Sequence, residues 1–165
     1  RFTLFPPEQL ANLYIGPLDF TPARPAITLV DFAQPDFAKF PNFAAALQHA
    51  QVAELGPGDA IFIPSMWWHH IESLDTLNVL VNYWWRHSPA FMDSPMSALM
   101  LAILTVRDLP PEQLKAWQNL FRHYVFEADE RTAAHIPPQA RRVLGPLDPE
   151  AARELRARLL QRLNR

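Results

Sequence analysis

Two of the six histidines stand side by side, in Trp67-Trp68-His69-His70-Ile71-Glu72-Ser73. Imidazole is the commonest metal-binding side chain. One imidazole is not a metal site, so the chemistry depends on what the fold brings to it. Alternate side chains of a strand share a face, which groups His69 with Ile71 and Ser73, and His70 with Trp68 and Glu72. His70-x-Glu72 has the form of a two-ligand strand motif. That form is common to any His-x-Glu in a strand, and no third ligand follows it. A histidine beside tryptophans is more often a hydrogen-bonded core or surface residue than a ligand, and tryptophans themselves are more often core.

The elements that must position this run are short. Arg1 to Phe5 reads as a strand stopped by Pro6-Pro7, and Pro6 to Tyr14 as a short helix with proline in its first turn. Residues 15–50 read as a long loop anchored by Phe20, Phe32, Phe37, Phe40 and Phe43, with a short helix from Phe43 to His49. Gln51 to Leu55 reads as a strand, and Gly56-Pro57-Gly58-Asp59 as a turn. Ala60 to Ile63, Trp68 to Leu74 and Leu77 to Trp85 read as further strands. Asp75-Thr76 gives the last two a hairpin connection. That hairpin can set an imidazole and the Asn82 carboxamide on one wall of a barrel. A buried Asn needs partners for its amide, and in a pocket it can donate to an anionic ligand.

Beyond Pro89 the pattern becomes helical. Ser94 caps a helix over Pro95 to Val106, and a second runs from Pro111 to about Glu127. In the second, Leu114, Trp117, Leu120, Phe121, Tyr124 and Val125 fall at helical spacing. Asp148 caps a third, in which Leu155, Leu159 and Leu163 form a stripe beside arginines.

The 165 residues, 49% hydrophobic and 19% charged, suffice for a domain with a core. A net charge of −2 gives no reason to expect nucleic acid or membrane as partner. The absence of cysteine excludes disulfides and thiolate ligands and is compatible with a cytoplasmic location. Seventeen prolines, in clusters such as Pro6-Pro7, Pro22 to Pro25, Pro110-Pro111 and Pro137-Pro138, punctuate the chain. The opening Arg1-Phe-Thr-Leu-Phe5 lacks a start methionine, which reads as a fragment or a processed product.

Phe5-Pro-Pro-Glu-Gln-Leu10, Phe40-Pro-Asn-Phe43, Gly56-Pro-Gly-Asp59, Trp67-Trp-His-His-Ile-Glu-Ser73 and Val81-Asn-Tyr-Trp84 together resemble the second half of a cupin-like JmjC domain of the asparaginyl-hydroxylase type. The likeness covers about residues 1–86. The helices after residue 90 are similar to those of bacterial cupin-like proteins. The resemblance implies a double-stranded β-helix that holds Fe(II) through His-x-Asp and a distant His, with 2-oxoglutarate on the metal. His69 matches the distant histidine, Asn82 a residue near the oxoglutarate, and Trp84 an aromatic near the pocket. Such a 2-His-1-carboxylate set leaves positions open for cosubstrate and O₂.

By the same resemblance, the His-x-Asp half and the lysine that pairs with oxoglutarate lie before Arg1. No His-x-Asp occurs in this chain, so no catalytic residue is assigned within it. The expected fold is mainly β plus α. Residues 1–89 form half of a cupin or jelly-roll barrel, and residues 90–165 a helical segment. The expected function is the C-terminal part of an Fe(II)/2-oxoglutarate-dependent hydroxylase acting on a protein or small molecule, inert in isolation. A non-catalytic cupin-like binding or regulatory module is the competing expectation. The helices are expected to pair two chains into a homodimer, against a near-equal reading in which their apolar stripe packs on the barrel.

Overall fold

The computed structural model describes residues 1–18 and 26–164. Phe20 and the prolines at 22 and 25 lie outside them. The described residues form a mixed α and β chain that divides into two compact units, Arg1–Asn82 and Tyr83–Arg165.

The first unit is built on a three-stranded antiparallel sheet. Phe2–Phe5 (β1) is central, with Gln51–Ala53 (β2) on one side and Trp68–Ile71 (β3) on the other. The Phe-Thr-Leu-Phe run of β1 suits a central strand, because Phe2, Leu4 and Phe5 are all buried and both of its faces are therefore covered. Pro6 ends the strand. Pro7–Asn12 follows as a 3₁₀ helix rather than the expected α-helix, with proline in its first turn.

Of the loop phenylalanines, Phe40 and Phe43 are buried and Phe32 is partly buried as expected of anchors, whereas Phe37 is exposed. Phe43 is 0% exposed and opens the six-residue helix Phe43–Gln48 (α1). It joins Phe5, Leu13, Val30, Phe40 and Ala46 in one cluster, with Phe32 and Trp68 packed against it. Phe32 meets Phe5 and Phe43 edge-on, at centroid distances of 5.8 and 5.3 Å, a geometry favoured by the ring quadrupoles. Tyr14 adopts φ 49°, and its hydroxyl accepts a hydrogen bond from the Asn42 amide at 3.0 Å. The Gly56–Asp59 turn forms as its composition demands. Gly58 sits at φ 89°, a region glycine enters freely, and the Asp59 carboxylate accepts from the Gly56 amide at 2.8 Å.

Two expected strands are absent. Among the described residues, neither Ala60 to Ile63 nor Leu77 to Trp85 forms a strand, and the 75–76 hairpin does not form. The strand content is accordingly smaller than a mainly β reading implies. The Leu77–Trp85 pattern satisfies the alternation rule, but a strand needs a neighbour to receive its N–H and C=O groups, and among the described residues no ladder joins this run to the outer edge of β3. Asn78 instead donates to the Asp75 carbonyl at 2.6 Å, a local turn.

In the second unit the expected helices form: Pro95–Thr105 (α2), Pro111–Phe121 (α3) and Pro149–Leu163 (α4). Ser94 accepts from the Met96 amide, and Asp148 accepts from the amides of Glu150 and Ala151 at 2.9 Å each. These bonds satisfy donors that have no partner within the helix. The last turns of the second expected helix widen into a π-helix over Arg122–Phe126. Among the described residues no helix is long and apolar enough to cross a membrane.

Candidate metal-facing strand

The β1–β3 register decides what the two histidines do. Leu4 stands opposite His69, and Thr3 opposite His70. Residues directly opposite in an antiparallel pair share a face. His69 and Ile71 therefore share the face of Phe2 and Leu4, whereas His70 and Trp68 share that of Thr3 and Phe5. The packing agrees with this division. His70 lies flat on the Phe32 ring, 4.2 Å between centroids and 9° between planes, and Phe32 also touches Phe5. Trp68 packs against the same core. The His69 side chain is exposed. One imidazole is a packing residue, and the other is exposed on the face that also carries the buried Phe2 and Leu4.

Glu72 does not join His70 as a second ligand. Its carboxylate pairs with the Arg1 guanidinium at 3.1 Å. Arg1 also holds Glu54, with Nη2 2.7 Å and Nε 2.8 Å from Oε1. The hydrogen bond with Glu54 is the first cause, and its charge the second, that lifts the Arg1 pKa above its ordinary value. Sequence reading missed this triad. The register would have found it, because Arg1, Glu54 and Glu72 continue the β2–β1–β3 ladders by one residue.

The expected wall joining His69 to Asn82 is not assembled, since the hairpin is missing. Asn82 is exposed, and Trp84 is 85% exposed in the second unit. Among the described residues no group of three or more His, Cys, Asp or Glu side chains is placed to hold a metal ion.

The class follows from the family comparison. A model described as a cupin-like domain matches residues 1–91, more than half of the chain, and the chain belongs to that family in its JmjC-type form. HSPB1-associated protein 1 of Homo sapiens is 31% identical over 123 residues, covering 72% of this chain and 24% of that protein. Lysine-specific demethylase JMJ31 of Arabidopsis thaliana is 32% identical over 99 residues, covering 57% and 18%. The tRNA wybutosine-synthesizing protein 5 of Gallus gallus is 33% identical over 90 residues, covering 54% and 25%. The chain thus spans about a quarter of the length of curated relatives it matches. These relatives are eukaryotic, so they lend nothing to the bacterial likeness of the later helices. No solved structure matches the chain.

Proposed function

We propose that this chain is the C-terminal half of the barrel of an Fe(II)/2-oxoglutarate-dependent hydroxylase, followed by a helical segment. The observation that carries the reading is the opposite orientation of the paired histidines. A ligand imidazole must stand away from the packed layer behind its sheet, and His69 does so while His70 is stacked on Phe32. His69 supplies one nitrogen donor. A facial triad needs two more, so the residues present fit one corner of such a site. The other donors, and a lysine for the oxoglutarate carboxylate, belong to preceding chain in this reading. By alternation, the position before Arg1 shares the face of Phe2, Leu4 and His69, which suits that lysine.

Iron with 2-oxoglutarate supplies the oxygen-activating chemistry when bound. This segment's own part is to hold one donor at His69, with Asn82 in this reading a residue near the oxoglutarate. In the completed jelly roll, Leu77 to Trp85 pairs with the preceding chain. That pairing takes the now exposed Leu77, Val79, Val81 and Tyr83 out of water. The substrate is a protein or a small molecule.

The test is succinate formation from 2-oxoglutarate with added Fe(II). The longer protein is expected to show it, and the 165-residue chain alone to match the no-protein control. Iron-dependent succinate from this chain alone would overturn the reading and return His70 and Glu72 as ligands.

The second unit is read as a homodimer element. Helix α2 is apolar all round, yet none of its residues is buried, a composition that belongs in a core or an interface. Trp117 and Leu120 of α3, and Tyr124 of the π-helix that follows it, are also exposed. Burying one such side chain contributes roughly 1.5–3 kcal/mol. Light scattering of the longer protein is expected to give a dimer mass, and a monomer mass once residues 90–165 are removed. Two monomer masses at micromolar concentration would end the dimer idea.

A further inference from the structure

We propose that Arg1 is a positioning residue: its guanidinium joins Glu54 and Glu72 across three strands and so fixes the register that turns His69 to the metal-facing side. The proposal rests on the reading of His69 given above.

Register is usually set by a hydrophobic face, because a slip of one residue sends every side chain to the other side of the sheet. Strand β3 carries little of that information in its composition, beyond Trp68 against the core and His70 on Phe32. Its Trp68-His69-His70-Ile71 sequence offers one apolar residue and one histidine to each face, so a slipped pairing would bury nearly as much apolar surface. Its ladder with β1 is also short, four residue pairs from Phe2↔Ile71 to Phe5↔Trp68.

Arg1 adds the missing discrimination. Its backbone pairs with that of Glu72: the Glu72 amide donates to the Arg1 carbonyl at 2.9 Å, and Arg1 N donates to the Glu72 carbonyl at 2.8 Å. Its side chain then engages Glu72 on one neighbour and Glu54 on the other. A slip of one residue would set Ile71 or Ser73 opposite Arg1 on the β3 side, and Ala53 or Leu55 on the β2 side. None of the four carries a carboxylate. Half-exposed ion pairs of this kind add little to overall stability, but here they separate one register from its neighbours. The planar guanidinium suits the task, since it can donate to two carboxylates at fixed angles.

The experiment uses the longer protein with Co(II) as the metal probe, together with amide hydrogen exchange of residues 68–72. Arg1→Met is expected to weaken Co(II) binding by ~10-fold, the loss typical of a partner that orients a ligand. It should also speed exchange in 68–72 while the thermal midpoint stays near that of the unaltered protein. Arg1→Lys should recover part of both, because an ammonium reaches one carboxylate well but not two. Should Arg1→Met fail to fold, Glu54→Gln and Glu72→Gln each remove one arm and should each give a smaller loss. Unchanged Co(II) affinity and exchange in the arginine variant, or in both glutamine variants, would overturn the proposal. His69→Ala separates the two ideas. If it loses Co(II) while Arg1→Met does not, only the clamp fails. If it keeps Co(II), the His69 reading falls and the clamp falls with it.

Discussion

His69→Ala in the longer protein is expected to lower Fe(II) affinity by on the order of 100-fold or more, beyond the 10–100-fold seen when only an orienting partner is lost. Removing a ligand takes away a direct bond and leaves an open corner that water fills poorly. His70→Ala is expected to leave the affinity within a few-fold. Its imidazole lies parallel to the Phe32 ring at 4.2 Å, on the side of the sheet that faces Phe5 and Trp68. Its loss should instead appear as stability, about 0.5–1.5 kcal/mol for an aromatic pair of this kind. Calorimetric titration with Mn(II), which stands in for oxidisable Fe(II), measures the first effect, and urea unfolding the second. Tight binding in His69→Ala with weak binding in His70→Ala would reverse the assignment.

The largest stability effect is expected at Phe43. The residue is 0% exposed and packs against Phe5, itself 2% exposed, and against Phe32. Phe43→Ala removes its buried surface and leaves a cavity that the rigid rings around it cannot close, so about 3–5 kcal/mol should be lost. Phe32 loses its edge contact with Phe43 in the same change, and Phe32 is the plate on which His70 rests. Leu10→Ala, at an exposed position of the 3₁₀ helix, should move stability by no more than about 0.5 kcal/mol. Urea midpoints of the two variants make the comparison. Equal midpoints would mean that the aromatic cluster is not the core of this unit.

The features that could be read directly from the residues are those with local causes. Ser94 and Asp148 cap their helices because a short side-chain oxygen on an extended residue reaches the amide two or three positions on. Gly56 to Asp59 turns because Gly58 accepts a positive φ and Asp59 folds back on Gly56. Phe32, Phe40 and Phe43 were recognisable as anchors, since large rings in a proline-rich stretch gain by burial, although Phe37 stays exposed. Which rings they would meet was not recognisable. The stacking of Phe32 on His70 joins residues 38 positions apart.

The site shows the same division. The sequence alone determined that His69 and His70 face opposite ways and that a carboxylate follows at Glu72. Only the tertiary structure decided which imidazole would be free, because that depends on the β1 register and on the Phe32 ring arriving from a distant loop. It also engaged Glu72 with Arg1, 71 residues earlier in the chain. Leu77 to Trp85 shows the limit from the other side. Its alternation specifies a strand, but a strand is completed by hydrogen bonds to another segment, and among the described residues no ladder joins this run to the outer edge of β3. Caps and turns close over a few residues and are written locally, whereas strand pairing and the choice of a buried face are settled between parts of the chain that local sequence cannot connect.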